Sequence, residues 1–299
     1  MYEFSPRAQF WGGLVLWIIA VVLGLSAMLY QRVTGPTYPL RGQAEFEQQT
    51  VDYRLPRTAT TGQDTQVSLP DVGYRYEGKL YFKRYKTEDP LTEVALRLEG
   101  DKLVAELPSQ PPAGKLEYYM LFTGPLSLQD WRPAEVRVPA EENVVIRYKG
   151  AVPAVILAPH VILMILVVIF GIRTLLAALT NRQEMRILAW ITFWLMAVGG
   201  MILGPAVQQY AFGAAWTGIP VGWDLTDNKM LIMFLCWLVA IAVLGRGRSR
   251  IRPAQRWVTV LVALVMIVVY LIPHSMYGSE LDYSQVDQGV PPEQAIGQG

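Results

Sequence analysis

Five stretches of this 299-residue chain are so apolar, for so long, that water is the wrong solvent for them. Phe10 to Tyr30, Val152 to Phe170, Ile187 to Val207, Met230 to Leu244 and Trp257 to Ile272 reach or approach the length of about 17 to 25 residues that carries a helix across a hydrocarbon core, the last two being the shortest. Backbone amides left unsatisfied in lipid cost several kcal/mol each, so unbroken apolar runs of this kind predict helices. The first run is longer than the apolar part of a cleavable signal and no clear small-x-small site follows it, which predicts a retained anchor.

Arginine placement orients the spans, because short connections rich in Lys and Arg stay on the cytoplasmic side. Arg173, Arg182 and Arg186 flank spans two and three, and Arg246, Arg248, Arg250, Arg252 and Arg256 crowd between spans four and five. The segment between spans three and four has no basic residue before Lys229, and nothing after Arg256 is basic. The expectation is a multi-pass protein of a bacterial cytoplasmic (inner) membrane with the N-terminus, near Arg7, inside and the C-terminus outside. The tail "VDQGVPPEQAIGQG" reads as disordered by composition.

Gln31 to about Gly150 is polar and of domain size, and by the same rule extracytoplasmic. The stretches "GKLYFKRYK", "TEVALRLEG", "DKLVAELP", "KLEYYMLFT", "AEVRVP" and "NVVIRYKG" alternate as strands do, punctuated by Gly, Pro and Asp. The predicted fold class is therefore a five-helix transmembrane bundle with an all-β sandwich inserted between spans one and two. The passage "LEGDKLVAELPSQPPAGKLEYYMLFT" resembles fibronectin type III or immunoglobulin-like modules, in which a strand ending at a proline turn leads through "PAG" into a Tyr-Tyr strand. In this insert Tyr74, Tyr76, Tyr81, Tyr118 and Tyr119 serve either as core or as anchors for a partner protein or glycan. Its acids, among them Glu45, Glu47, Glu88 and Asp89, are interspersed with basic residues as on a solvated surface.

Composition excludes several functions. A net charge of +1 argues against nucleic acid as a partner, and the lone Cys236, inside an apolar run, rules out an internal disulfide or a zinc finger. The sequence shows no nucleotide-binding glycine loop, no nucleophile in a local signature and no acids paired at catalytic spacing; enzymatic activity is left open, with the balance against it.

Two places attract attention. The loop Gln208 to Lys229 carries Tyr210, Trp216 and Trp223, which suit the headgroup layer, and ends in "WDLTDNK". Asp224, Thr226 or Asp227 can cap the following helix, which leaves one carboxylate, with Asn228 and Lys229 beside it, free to face a cavity on an ion or proton path. The second place is the pair of histidines, His160 in "ILAPHVILM" and His274 in "YLIPHSMYG", which the topology puts on one side of the membrane. Either span two begins near Val152 and His160 lies about 12 Å along it, or Pro159 opens the helix and His160 sits at the rim. His160 and His274 with Met164 and Met276 would suit copper(I), and two imidazoles could ligate a non-covalent haem; a histidine bonded to a carbonyl, to water or to an acid such as Glu280 or Asp282 is the plainer alternative, and proton sensing or quinone contact is a further one. In "GGMILGP", Gly200 and Gly204 have the spacing that lets helices approach, and Pro205 helps to end the span.

"YAFG", "WTG", "DLTDNK", "IPHS" and "GSELDY" resemble a family of uncharacterised bacterial multi-span membrane proteins with an extracytoplasmic fibronectin type III/immunoglobulin-like domain, a resemblance that implies a specialised outer face. The expected role is an accessory or scaffolding subunit of a membrane complex that docks a protein partner through the sandwich and the outer loop. Redox or metal handling through His160 and His274 is the alternative, and a small transporter the weaker one.

Overall fold

The structure, a computed structural model, describes residues 6–47, 49–73, 75–126, 133–247, 249–273 and 278–297. The chain forms two compact units, a helical one from Met1–Gly35, Val152–Tyr210 and Ala214–Gly278 and a β-rich one from Pro36–Ala151, Ala211–Gly213 and Ser279–Gly299.

In the helical unit α1 spans Pro6–Thr34 and α2 Ala154–Leu179; α3, Met185–Met196, passes through a π-helical stretch Ala197–Ile202 into α4, Leu203–Phe212; α5 is Leu225–Leu244 and α6 Pro253–Leu271. Five of the resulting helical runs are long and apolar enough to cross a membrane. They are apolar all round, as a bilayer solvent requires: Val155, Leu261 and Val268 are exposed while Val167, Met196, Trp237 and Met266 are enclosed in the bundle. The 180–186 and 245–252 connections lie at one end of this unit, where Ile251 N donates to Gln183 Oε1 at 3.3 Å.

Two expectations about the span ends are corrected. Arg173 does not flank span two but lies inside α2, 1% exposed, paired with Glu184 and with its guanidinium 5.4 Å from the Trp17 ring centroid. Pro205 does not help to end span three, which runs on to Phe212. A proline lacks an N–H and crowds the carbonyl four residues back; the wider π-helical turns just before it relieve that conflict and the helix continues.

The two glycines of "GGMILGP" also part company. A Cβ on Gly200 would stand 2.3 Å from Met230 Sδ, whereas one on Gly204 would meet nothing nearer than His160 Cε1 at 3.9 Å. Gly200→Leu is therefore expected to lose about 1 to 3 kcal/mol through overpacking against α5 while Gly204→Ala is neutral, a contrast that thermal unfolding in detergent reads directly.

The β-rich unit holds β1 (Leu40–Phe46), β2 (Gln49–Leu55), β3 (Thr58–Thr60), β4 (Thr65–Pro70), β5 (Glu77–Arg84), β6 (Thr92–Ala95), β7 (Arg97–Glu99), β8 (Lys102–Leu107), β9 (Lys115–Leu126), β10 (Pro133–Val138) and β11 (Val144–Lys149). After α6 come β12 (Glu280–Leu281), α7 (Tyr283–Asp287) and β13 (Ile296–Gly297). Strands pair in the order β3-β11-β9-β5-β6, with β10 also on β9; β4-β8-β7 form a second sheet, and β1-β2 and β12-β13 are separate ladders. Alternation sets which side of each strand is buried. Leu80 and Phe82 of β5 oppose Met120 and Tyr118 of β9 in the core, while Tyr81 and Tyr119 on the other face stack at 5.3 Å. Val67, Leu69, Ala105 and Leu107 of the second sheet share that core.

Tyr118 is thus core and Tyr76 packs edge-on against Phe46; Tyr74 lies outside the described residues. The first helix precedes the sheets, but the β-rich unit is not one uninterrupted insert, because residues 211–213 and the C-terminal segment belong to it. The tail from Val286, expected to be disordered, is folded over its described residues 286–297: Ala295 clusters with Leu281 and Tyr283, and its carbonyl accepts from Asp282 N at 2.8 Å.

Candidate functional site

Within the helical unit, residues 214–224 between α4 and α5, with Gln208 of α4 and the first turn of α5, are gathered around one carboxylate oxygen. Asp227, 6% exposed, accepts at Oδ2 from Thr217 N at 2.7 Å, Gly218 N at 3.1 Å, Gln208 Nε2 at 3.0 Å and Thr217 Oγ1 at 3.2 Å. Asn228 Oδ1 takes the next amide, Ile219 N, at 2.7 Å. Asp224 is the helix cap, its Oδ1 accepting from Thr226 N at 2.8 Å and Asp227 N at 3.4 Å. Both acids of "WDLTDNK" thus serve the backbone, and Asp227 is a staple of the loop. Gly218 is required by that closeness: a Cβ there would lie 2.6 Å from Asp227 Cβ and 2.8 Å from Asn228 Oδ1.

The loop so fixed presents Ile219, Val221 and Trp223 outward, 43%, 65% and 71% exposed. Trp216 is half-buried, with Nε1 donating to Ile219 O at 3.2 Å. Lys229 is buried, and its Nζ donates to Ile272 O, which also accepts from Gln31 Nε2 at 2.9 Å.

His160 lies on α2 about 9 Å along the helix from its start at Ala154, and Pro159 is inside the helix rather than its first residue. Its Nδ1 is 2.8 Å from Gly199 O, and because a carbonyl only accepts, that nitrogen carries the proton. Gly199 belongs to the π-helical stretch, so the imidazole supports the irregular backbone. Met164, one turn on, packs against the bundle core. His274 and Met276 lie outside the described residues. Among the described residues no group of three or more His, Cys, Asp or Glu is placed to hold a metal.

The β-rich unit contains a cleft of about 710 Å³ whose walls come from the turn after β5, the start of β9 and the C-terminal segment. Arg84 donates from Nε and Nη2 to Asp89, at 2.5 and 2.9 Å, and from Nη1 and Nη2 to Asp287, at 2.7 and 2.9 Å. Its guanidinium lies 4.9 Å from the Tyr283 ring centroid. Glu280 is held by Lys115 and, at 2.9 Å, by Lys86. The Tyr283 hydroxyl accepts from Lys115 N at 3.0 Å and faces Lys115 O and Gln110 Oε1, both at 3.0 Å.

These contacts set the electrostatics. The hydrogen bonds from Arg84 hold the Asp89 carboxyl down to about 2 and that of Asp287 below its ordinary value. Burial pushes Glu280 up, but the bonds from Lys115 and Lys86 together outweigh it and leave it lowered. Burial pushes the Tyr283 phenol far above its usual range, so it stays a neutral hydroxyl. Asp282 caps α7 through Ser284 N and Gln285 N. The cations and carboxylates are matched to one another: this cleft is a clasp on the C-terminal segment.

Reading the sequence alone misses the clasp and the parts played by Gln208 and Thr217; the one local signal is "LDYSQ", an Asp cap between two apolar residues. Comparison with protein-family models, curated proteins and solved structures finds no match for this chain.

Proposed function

We propose that this chain is an accessory or scaffolding subunit of a bacterial cytoplasmic-membrane complex, with its β-rich unit and the 208–229 loop on the outer side, docking a protein partner through them. The orientation follows from the arginine-bearing connections. The observation that carries the docking role is the loop: four donors converge on one Asp227 oxygen to hold rigid a chain whose outward face is Ile219, Val221 and Trp223. A fixed apolar ridge with an aromatic tip is pre-organised for a partner's groove, since little conformational entropy is lost on binding.

The β-rich unit is read as immunoglobulin-like. Its strand order supports this: β4-β8-β7 corresponds to the B-E-D sheet and β5-β9-β11 to C-F-G, with β3 running parallel to β11 at the edge. Such domains commonly serve attachment, although a fold alone assigns no activity.

Photo-crosslinking from positions 221 and 223 in native membranes, with co-purification in mild detergent, tests the role. One defined protein adduct is expected, and Val221→Ser with Trp223→Ser should abolish co-purification without lowering the melting temperature. A monomer crosslinked to lipid alone, or one that moves a solute in liposomes, defeats the reading.

A metal or haem role has one observation in its favour. A bond from Nδ1 to a carbonyl is the kind that orients ligating imidazoles, and it leaves the lone pair of His160 on Nε2. Metal analysis and an absorption spectrum of purified protein decide it: stoichiometric copper or haem lost in His160→Ala supports it, and neither present ends it.

A further inference from the structure

In the β-rich unit, the segment 279–297 makes bonds of its own: the β12-β13 ladder, the Asp282 cap of α7 and the cluster of Leu281, Tyr283 and Ala295. The amides in those bonds stay paired if the segment leaves the sandwich as a unit, which lowers the cost of leaving. Glu280, Tyr283 and Asp287 reach out of it into the groove between the turn after β5 and the start of β9. Glu280 meets Lys115 and Lys86, the Tyr283 hydroxyl meets the Lys115 backbone, and Asp287 meets Arg84.

The groove side is pre-organised for such a ligand. Asp89 holds Arg84 through Nε and Nη2, so the guanidinium keeps its aim whether or not Asp287 is present, and Nη1 and Nη2 take the two oxygens of one carboxylate. Lys115 has only 12% of its side chain exposed, and an enclosed cation is costly to leave without a carboxylate. Of the sandwich residues that line the cleft, Arg84, Lys86 and Lys115 outnumber Glu88 and Asp89. Residues 279–297 carry Glu280, Asp282, Asp287 and Glu293 and no base. The groove therefore selects an acidic chain with a tyrosine. About 710 Å³ of it is open beside the seated segment, and Lys86 is 60% exposed, so a second acidic chain can make contact before the first has left.

We propose that this groove is a docking site for an acidic, tyrosine-bearing segment of a protein partner, and that the chain's own C-terminal segment fills it as an exchangeable competitor. The tether favours the resident segment, since a short connection gives an effective concentration of about millimolar. A partner gains the groove when its own attachment elsewhere supplies a comparable local concentration. This names the partner chemistry for docking through the β-rich unit and rests on the role proposed above.

The probe is a labelled peptide of residues 279–297 added to the full chain in detergent. It should bind the wild type, whose groove is filled, about tenfold or more weakly than a chain carrying Glu280→Ala and Tyr283→Ala, whose own segment is released. Arg84→Ala in the released chain should weaken the peptide about tenfold, as loss of one charge-assisted contact implies. A scrambled peptide should not bind. A second arm needs no substitution: peptide above the effective concentration of the tether should speed limited proteolysis of the wild-type chain's own residues 279–297. A released chain that melts as a folded protein but ignores the peptide overturns the proposal, as does equal binding of the scrambled peptide or proteolysis unmoved by excess peptide. A dimer in which each copy's segment crosslinks to the other's groove would give the site to a second copy and overturn the assignment to a separate partner. These readouts do not involve positions 221 and 223, so failure here leaves the loop's docking role standing.

Discussion

Asp227→Ala is expected to destabilise the helical unit by about 3 kcal/mol or more and to loosen residues 214–222. The substitution withdraws the acceptor of two backbone amides, Thr217 N and Gly218 N, together with those of Gln208 Nε2 and Thr217 Oγ1. Each enclosed N–H deprived of its partner costs about 1 to 3 kcal/mol, so the two amides alone set the scale. Asp227→Asn keeps an oxygen at the same place and should recover most of the loss. Asp224→Ala removes a helix cap and should cost about 1 kcal/mol. Melting in detergent should place Asp227→Ala well below both other variants, and hydrogen exchange should show faster exchange at residues 217 and 218 in Asp227→Ala. An alanine variant with unchanged melting and unchanged protection there would mean that the carboxylate is not the staple.

The same residue shows where the sequence is legible and where it is not. "WDLTDNK" before an apolar run announces a helix start, because the first amides of a helix need acceptors, and Asp224 supplies one. Nothing local says that the second aspartate turns away from its own helix to gather Thr217 and Gly218, because that bond depends on how the loop folds back. Helix existence follows from bulk hydropathy, but helix ends do not. Arg173 reads as a flank until Glu184 and the Trp17 ring are seen beside it, and Pro205 reads as a stop until the π-helical turns appear.

In the β-rich unit the strands with several inward apolar residues, such as β5, β8 and β9, are visible as alternation. Those before residue 71 are not, since β1 and β2 bury only Ala44, Phe46, Val51 and Leu55 among many polar residues. The C-terminal segment is the clearest failure of local reading. Rich in Gln, Gly and Pro, it has the composition of a disordered chain, yet its order rests on partners far away in sequence: Asp287 meets Arg84 across 203 positions and Glu280 meets Lys115 across 165.

Tyr283→Ala should free that segment, at a cost of about 3 to 5 kcal/mol for removing a buried aromatic ring. Tyr283 is 6% exposed, packs with Leu281 and Ala295, and carries the Arg84 guanidinium on its face. Tyr283→Phe keeps the ring and loses only the hydroxyl partner of Lys115 N, so about 1 to 3 kcal/mol is expected. Arg84→Ala should cost less than Tyr283→Ala, because Asp287 is 55% exposed and water screens that pair. The ion pairs add a pH dependence of definite sign. Asp89, Asp287 and Glu280 all have carboxyls lowered in the folded state, so their contribution is complete above the ordinary values of 3.8 and 4.5 and is lost as pH falls toward about 2. Limited proteolysis of residues 279–297 should therefore be slow at neutral pH and accelerate across that acidic window. Arg84→Ala should flatten the pH dependence, while Tyr283→Ala should be cut rapidly at every pH. If the alanine variant at 283 were as resistant as the wild type at neutral pH, the clasp would not be what holds the C-terminal segment in place.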